Sequence, residues 1–234
     1  MIKLHQFAPA FGLPNASPFC MKLETYLRMV ALPFEIAPPS MRDFSQAPGG
    51  KMPFIEDNGR LLGDSTLIVD YLKSTYCDPL DGWLSMEQKA VAVAWQRLME
   101  ENLYWAMLYS RWVAPDGWAL TKAAFFGDMP VPLKWFVPAM ARRSMVKSLH
   151  GHGMGRHTAA QIDAIGQRDI TALAHFLGNK PFLMGDAPCS LDATAYAFFA
   201  NLIWVPVESA LKQHCQQYPQ LEKYCQRMRS RYYG

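Results

Sequence analysis

The hydrophobic periodicity of this chain changes near residue 86, from short runs typical of strands to longer runs typical of helices. Before the change, "IKLHQF" (2–7) alternates apolar and polar residues, and "PFEIAPP" (33–39) is a second strand-like run. "MPFIEDNGRLLGDS" (52–65) predicts a hairpin that turns at Asn58-Gly59, because this dipeptide tolerates the positive φ of tight turns. The first part of the chain therefore contains a small sheet.

Helices are predicted after the first strand, starting near residue 17, and after the hairpin, over 64–76 with Asp64 or Ser65 as the cap. The resulting order is β-α-β, an irregular or helical link, and β-β-α, which is the topology of a thioredoxin-like domain. "CDPLDGWLS" (77–85) has the proline, glycine and charge of a linker. We predict a thioredoxin-like domain over 1–76 and a linker over 77–85.

Residues 86–234 are predicted to form an all-helical domain, so the fold class is α+β. The segment "GDMPVPLKWFVP" (127–138) interrupts the helices as a proline-broken connection. One apolar stripe on a long first helix has steps of four and three residues: Val91, Trp95, Leu98, Asn102, Trp105, Tyr109 and Trp112. Core packing explains such a stripe, and the alternative is that its far end lines a cleft. Later helices are predicted in "MARRSMVKSLHG", "TAAQIDAIGQRDITALAHFLG", "SLDATAYAFFANLIW" and from Pro219 to Arg231.

The composition indicates a folded protein that does not bind nucleic acid. Half of the 234 residues are apolar, and 23 basic against 20 acidic side chains leave a net charge of only +3. Five scattered cysteines favour free thiols in a reducing compartment, the cytoplasm. The longest apolar run (193–207) contains Asn201 and Pro206 and is shorter than the ~20 residues that cross a bilayer, so we predict a buried helix there rather than a membrane span.

The stretch "SPFC" (17–20) has the spacing of a dithiol redox motif, with a hydroxyl group in place of the first thiol. Ser17 is suited to cap a helix that has Pro18 at its first position. A serine hydroxyl does not ionise at neutral pH, so it cannot replace the thiol as a nucleophile, but it can donate a hydrogen bond to the thiolate of a ligand. Ser17 is therefore a candidate catalytic residue, with helix capping alone as the alternative. Cys20, one turn later, is expected to be a buried and inert thiol.

The chain resembles the glutathione transferase superfamily over nearly its whole length. The resemblance rests on "SPFC", on "GGKMPFIED" and on "GDS" before the predicted helix at 64. Longer stretches resemble the failed-axon-connections and metaxin-related branch, namely "SPFCMKLETYLRM", "DSTLIVDYL", "GMGRHTAAQI" and "DITALAHFLGNKPFLMGDAPCSLDATAYAFFANL". The resemblance implies glutathione as co-substrate, a homodimer, and Ser17 as the residue that stabilises the thiolate.

The same resemblance implies the glutathione-binding residues. Met52-Pro53 is expected to be a cis peptide, with the backbone of Met52 pairing with the cysteinyl unit. Asp64 and Ser65 would bind the γ-glutamyl end at a helix N-terminus, although these residues also suit plain capping. Lys51 would reach the glycyl carboxylate, or else be a solvated loop lysine.

An apolar electrophile is expected between the two domains, and the candidate residues are aromatic: Phe11, Tyr104, Trp105, Tyr109 and Trp112. The predicted reaction is addition or substitution of the glutathione thiolate on this electrophile. The alternative function is a non-catalytic module that binds glutathione or a protein, as in the metaxin-related branch.

Two further motifs concern metal binding and helix capping. His150, His152 and His157 in "HGHGMGRH" have no cysteine or carboxylate close in sequence, so we predict a glycine-rich loop and no metal site. In "APCSLDATAY", Cys189 or Ser190 is expected to cap a helix, with Asp192 bonding to its start.

Overall fold

A computed structural model describes residues 1–38 and 43–234. Its sheet has the strand order β2-β1-β3-β4, with β1 parallel to β2 and antiparallel to β3. The strands are β1 (Ile2–His5), β2 (Phe34–Ile36), β3 (Phe54–Asp57) and β4 (Arg60–Gly63). The hairpin between β3 and β4 turns at Asn58 (φ 50°) and Gly59 (φ 76°), as the dipeptide predicted. The first two strands are shorter than predicted, and Pro39, the end of the predicted second strand, lies outside the described residues.

The helices of the first part are α1 (Pro18–Met29), α2 (Asp43–Gln46) and α3 (Ser65–Thr75), and a 3-10 turn covers Pro48–Gly50. Helices α1 and α3 contribute buried residues to a core shared with the sheet: Leu4, Leu23, Leu27, Ile55, Ile68 and Leu72. The predicted order of β-α-β, an irregular or helical link, and β-β-α is therefore confirmed, and the link contains the short helix α2. This is the thioredoxin-like part of the fold.

Eight further helices form the second part: α4 (Met86–Arg97), α5 (Tyr104–Trp112), α6 (Pro115–Phe126), α7 (Leu133–His152), α8 (Ala159–Leu177), α9 (Ser190–Ile203), α10 (Ala210–Gln216) and α11 (Pro219–Tyr232). Helix α9 lies at their centre, and its residues from Leu191 to Leu202 are all buried. It also packs along α1, so it joins the helical part to the sheet. In the part of the chain that the structure describes, no helix is both long and apolar enough to cross a bilayer.

The predicted long first helix is interrupted by a π-helical turn over Leu98–Leu103, which joins α4 to α5. A π-helical turn widens the helix and changes the direction of the side chains that follow it. Trp95 and Asn102 contact Phe176 and Asp169 on α8, whereas the Trp105 ring stacks on His152 of α7. Core packing therefore explains this part of the stripe.

Two helices were not predicted, and a third starts earlier than expected. Helix α6 begins with Pro115 at its first position, and α10 follows the cap Ser209, whose hydroxyl accepts from the Lys212 N–H. Helix α7 begins at Leu133 and contains Pro138, so the proline-broken connection predicted over 127–138 is helical in its second half. His150 and His152 lie in the last turn of α7 rather than in a loop, and a 3-10 turn follows at Met154–Arg156.

Candidate active site

Ser17 is the N-cap of α1, with extended backbone angles (φ −90°, ψ 119°). Its Oγ accepts a hydrogen bond from the Cys20 N–H at 3.4 Å. A hydroxyl group has two acceptor lone pairs and one proton, so this capping contact does not use the proton of Ser17, which the buried Cys20 sulfur can also accept. The side chain is half-buried and stands at the positive end of the helix.

The loop before Ser17 is held by its own Asn15 and by buried side chains from two helices. The Asn15 side chain accepts from the Ser17 N–H at 3.0 Å and donates to the Phe7 carbonyl at 2.6 Å. Arg111 of α5 donates to the Ala16 carbonyl at 2.6 Å. Asn201 of α9 donates to the Asn15 carbonyl at 3.3 Å. The backbone that leads to Ser17 is thus bonded to both α5 and α9.

Cys20 is fully buried, as predicted. Burial raises the pKa of its thiol to about 12, although a hydrogen bond with Ser17 opposes that rise. The thiol therefore stays protonated at neutral pH and is not a nucleophile.

Asp64 is the N-cap of α3 and has a positive φ of 69°. Its carboxylate accepts from the N–H groups of Thr66 at 2.9 Å and Leu67 at 3.2 Å. Asp64 is exposed, and Ser65 beside it is buried. Of the two caps considered from sequence, the structure selects Asp64.

A buried ion pair lies against the first turn of α3. Lys22 Nζ of α1 is 2.6 Å from the Glu100 carboxylate in the π-helical turn, and both side chains are only 4% exposed. Lys22 also donates to Thr66 Oγ1 at 2.9 Å, and Gln96 donates to both Thr66 and Glu100. Burial lowers the pKa of Lys22, and the facing Glu100 carboxylate opposes that change. The pair connects the helical part of the fold to the helix that carries Asp64 and Ser65.

The Met52-Pro53 peptide is cis, as expected from the family resemblance. It lies between the 3-10 turn and β3, with Met52 half-buried and Pro53 buried. Lys51 precedes it on extended backbone and is exposed.

Tyr104 lies near the start of α1. Its ring contacts Phe19 at a centroid distance of 4.9 Å and Trp105 at 5.4 Å, both edge to face. Burial raises the pKa of Tyr104, so the phenol is neutral at physiological pH. Trp105 stacks on His152, and its indole N–H is buried without a hydrogen-bond partner in the described part of the chain.

The other aromatic candidates meet α6. The Phe11 ring lies edge to face with Phe125 at 6.3 Å, and Trp112 lies 5.7 Å from Trp118. Tyr109 lines a groove of about 420 Å³ beside α7. The unpredicted helix α6 therefore joins the loop that contains Phe11 to the end of α5.

Within the described ranges, no group of three or more His, Cys, Asp or Glu side chains is arranged to hold a metal ion.

Sequence reasoning missed several polar residues that shape this region: Asn15, Lys22, Thr66, Glu100, Arg111 and Asn201. Lys22 and Arg111 are charged residues inside apolar helical runs, and this position was a signal of partnered burial. Asn201 was noted only as a polar interruption of an apolar run, although buried amides generally have hydrogen-bond partners.

Comparisons with known proteins show what this chain is similar to. The profile of the glutathione S-transferase N-terminal domain matches residues 18–117, and that of the glutathione S-transferase C-terminal domain matches residues 166–228. An isoprene-epoxide–glutathione S-transferase from Rhodococcus sp. (strain AD45) is 34% identical over 99% of both chains. Failed axon connections from Drosophila melanogaster is also 34% identical, over 90% of this chain but only 52% of that protein. Human metaxin-1 is 26% identical over 99% of this chain and 51% of that protein.

Solved structures show the same fold at low sequence identity. A β-etherase from Sphingobium sp. strain SYK-6 has a TM-score of 0.66 at 16% identity, covering 98% of this chain and 95% of that one. A glutathione S-transferase from Methylobacterium radiotolerans, solved in complex with glutathione sulfonate, has a TM-score of 0.62 at 15% identity, covering 98% and 91%.

The matching domain profiles and the full-length relative, together with the thioredoxin-like sheet and the helical second part, show that this chain belongs to the glutathione S-transferase family.

Proposed function

We propose that this protein is a glutathione transferase that adds the glutathione thiolate to an apolar electrophile, or substitutes it there, with Ser17 stabilising the thiolate. The observation that carries the proposal is the placement of Ser17, a half-buried hydroxyl at the N-terminus of α1 whose proton is not used by its capping bond. A thiolate beside it would gain a charge-assisted hydrogen bond and the favourable potential of the helix end.

Glutathione would be positioned by residues around this hydroxyl. The Met52 backbone beside the cis Pro53 would pair with the cysteinyl unit, and Asp64 and Ser65 would bind the γ-glutamyl end at the start of α3. Lys51 would contact the glycyl carboxylate. The isoprene-epoxide transferase, similar along its full length, supports glutathione as the co-substrate.

The electrophile would lie against the aromatic candidates on α5 and the N-terminal loop, which are Phe11, Tyr104, Trp105, Tyr109 and Trp112. Tyr104 and Phe11 have the strongest support, because Tyr104 contacts Phe19 at the start of α1 and Phe11 belongs to the loop that leads to Ser17. The protein would act as a cytoplasmic homodimer.

The proposal predicts that glutathione binds with a micromolar to low-millimolar dissociation constant in calorimetry. Ser17→Ala should retain binding but slow conjugation of an aromatic halide about ten- to a hundredfold, the value of one charge-assisted bond at ~1.5–3 kcal/mol. Ser85→Ala is the matched control, because it removes a serine cap from α4, where Ser85 accepts from the Gln88 N–H. Equal rates for wild type and Ser17→Ala would show that Ser17 is only a cap.

A second candidate function is a non-catalytic module that binds glutathione or a protein. Its support is the similarity to Failed axon connections and the metaxins, of which the chain spans only part. Absence of heat and of competition with millimolar glutathione would favour this alternative.

A further inference from the structure

Arg111 is a buried guanidinium group that stabilises the loop before Ser17. It is 8% exposed, and its two terminal nitrogens donate in different directions. Nη1 bonds to the Ala16 carbonyl at 2.6 Å, while Nη2 bonds to the Asn201 carbonyl and, at 3.0 Å, to the Asn201 side chain. All of its acceptors are neutral, and no carboxylate of the described residues forms an ion pair with it.

Among the residues that the structure describes, no anion therefore pairs with the positive charge of Arg111. Burial lowers the pKa of Arg111 to about 10, so the group is still charged at neutral pH. Glu24, whose carboxylate pairs with Arg28, acts electrostatically on Cys20 of α1. The titratable side chain that acts on Arg111 is Tyr104 of α5, and Cys20 acts on Tyr104. Burial raises the pKa of both, to about 12 for Cys20, so neither carries a negative charge under physiological conditions.

The residues bound to Arg111 form a continuous connection to Ser17. Ala16, whose carbonyl accepts from Arg111, directly precedes Ser17. Asn201 in turn donates to the Asn15 carbonyl, and the Asn15 side chain accepts from the Ser17 N–H. The backbone on the N-terminal side of the Ser17 hydroxyl is thus fixed by one cation and two amides.

We propose that Arg111 is a positioning residue for Ser17 that also lowers the pKa of a thiol bound next to this serine. The inference rests on the proposed function, since the thiol in question is that of glutathione. It adds a source of thiolate stabilisation that is independent of the Ser17 hydroxyl and of the α1 N-terminus.

The positive charge of the Arg111 guanidinium group indicates a role other than packing. Burying an ionised group without a counter-ion is costly, and neutral side chains could connect the same carbonyls at lower cost. A buried cation close to a reacting thiol has a use that a neutral amide lacks, because an opposite charge within a few ångströms lowers the pKa of an acid.

The test measures the thiol pKa at position 17 without glutathione. Ser17→Cys introduces the thiol, and Cys77→Ser removes the exposed cysteine, leaving the four buried ones. The pH dependence of alkylation by iodoacetamide, read at residue 17 by mass spectrometry, gives the pKa. Adding Arg111→Gln, which removes the charge but keeps a donor, should raise this pKa by about one. Adding Arg111→Lys, which keeps the charge, should raise it less.

Arg142→Met is the matched control. Arg142 is a half-buried arginine of α7 that donates to the carbonyls of Trp112 and Val113, so its loss removes a comparable pair of bonds. It should leave the thiol pKa at residue 17 unchanged. Equal pKa values with and without Arg111→Gln would overturn the inference.

The positioning role has its own measurement, which also applies if Arg111→Gln does not fold. In Arg111→Lys, amide hydrogen exchange should become faster at residues 13–17 while the amides of α8 keep their wild-type rates. Unchanged exchange at 13–17 would contradict the proposal. Because neither measurement involves glutathione, a failure of Arg111 to act is distinguishable from a failure of glutathione to bind.

Discussion

The Asp169 side chain of α8 is buried, with 6% of its surface exposed. Removing the charge of its carboxyl group is expected to stabilise the protein by an amount that depends on pH. Burial raises its pKa from 3.8 to about 6, although the hydrogen bond from Asn102 at 2.7 Å and the charge of Arg168 oppose that rise. Asp169→Asn keeps the size and shape of the side chain and removes its charge.

The sign of the effect follows from proton linkage. Between pH 3.8 and about 6 the folded protein binds the Asp169 proton more tightly than the unfolded chain does, so stability falls as the pH rises through this range. Above pH 6 the ionised Asp169 lowers the free energy of unfolding by its full amount, about 3 kcal/mol, at 1.36 kcal/mol for each tenfold change in proton affinity. Asp169→Asn avoids this loss, but its amide–amide bond to Asn102 is weaker than the original bond, which should reduce the stabilisation by about 1 kcal/mol. We therefore expect Asp169→Asn to be more stable than wild type by about 2 kcal/mol at pH 7.

Urea denaturation at several values between pH 4 and 8 measures the difference between variant and wild type. The difference should be smallest near pH 4, grow towards pH 6 and stay constant above it. Asp186→Asn, which removes a carboxylate at an exposed position, is the matched control. A difference between Asp169→Asn and wild type that does not change with pH would refute the reasoning, since the carboxyl would then titrate as in the unfolded chain.

Four further predictions concern the binding site, the core and the assembly. Asp64→Ala should weaken glutathione binding about ten- to a hundredfold in calorimetry (~1.5–3 kcal/mol), and unchanged affinity in the folded variant would make Asp64 a cap alone. Glu100→Leu should lower the free energy of unfolding by ~3–5 kcal/mol because it leaves Lys22 buried without its partner, and the double variant with Lys22→Met should recover most of this loss in urea denaturation; no recovery would contradict the pairing. Asp192→Ala should destabilise by roughly 3 kcal/mol, since the N–H groups of Leu183 and Cys189, the Cys189 thiol and the Tyr224 hydroxyl lose their carboxylate acceptor, and a loss below about 1 kcal/mol would show that water replaces it. Sedimentation equilibrium should give twice the chain mass of 26.5 kDa, and a single-chain mass across micromolar concentrations would exclude the homodimer.

Local sequence signals predicted the elements whose start or turn depends on one or two residues. Ser17 and Pro18 mark the start of α1, and Asn58-Gly59 marks the hairpin. Of the two caps considered for α9, Cys189 and Ser190, Cys189 is the one observed, and the expected bond from Asp192 to the helix start is present, because the Asp192 carboxylate accepts from the Cys189 N–H at 2.9 Å.

Helix α6 was missed because its stability depends on packing rather than on a one-sided apolar pattern. Its apolar side chains are spread around the helix axis. Gly117 allows the close approach, since a Cβ there would lie 1.8 Å from the Ser110 carbonyl oxygen of α5. A close contact at a single glycine produces no periodic pattern in the sequence, so periodicity could not predict this helix.

The residues of the candidate site also fall into two groups, those that local sequence signals predicted and those that only the fold brings together. The positions of Ser17, Asp64 and Ser65 at helix starts follow from capping chemistry, which acts within a few residues. The residues that support them lie far away in sequence: Lys22 meets Glu100 across 78 positions, and Arg111 meets Ala16 across 95.

The sequence by itself determined the order of strands and helices in the first part, the helical second part and the serine at the start of the first helix, because turn residues, caps and periodicity act locally. Tertiary structure decided the π-helical turn that places Glu100 beside Lys22, and the buried cation behind Ser17. A buried charge is tolerated only where distant groups provide its hydrogen bonds, and these groups come together only when α1, α5 and α9 are packed.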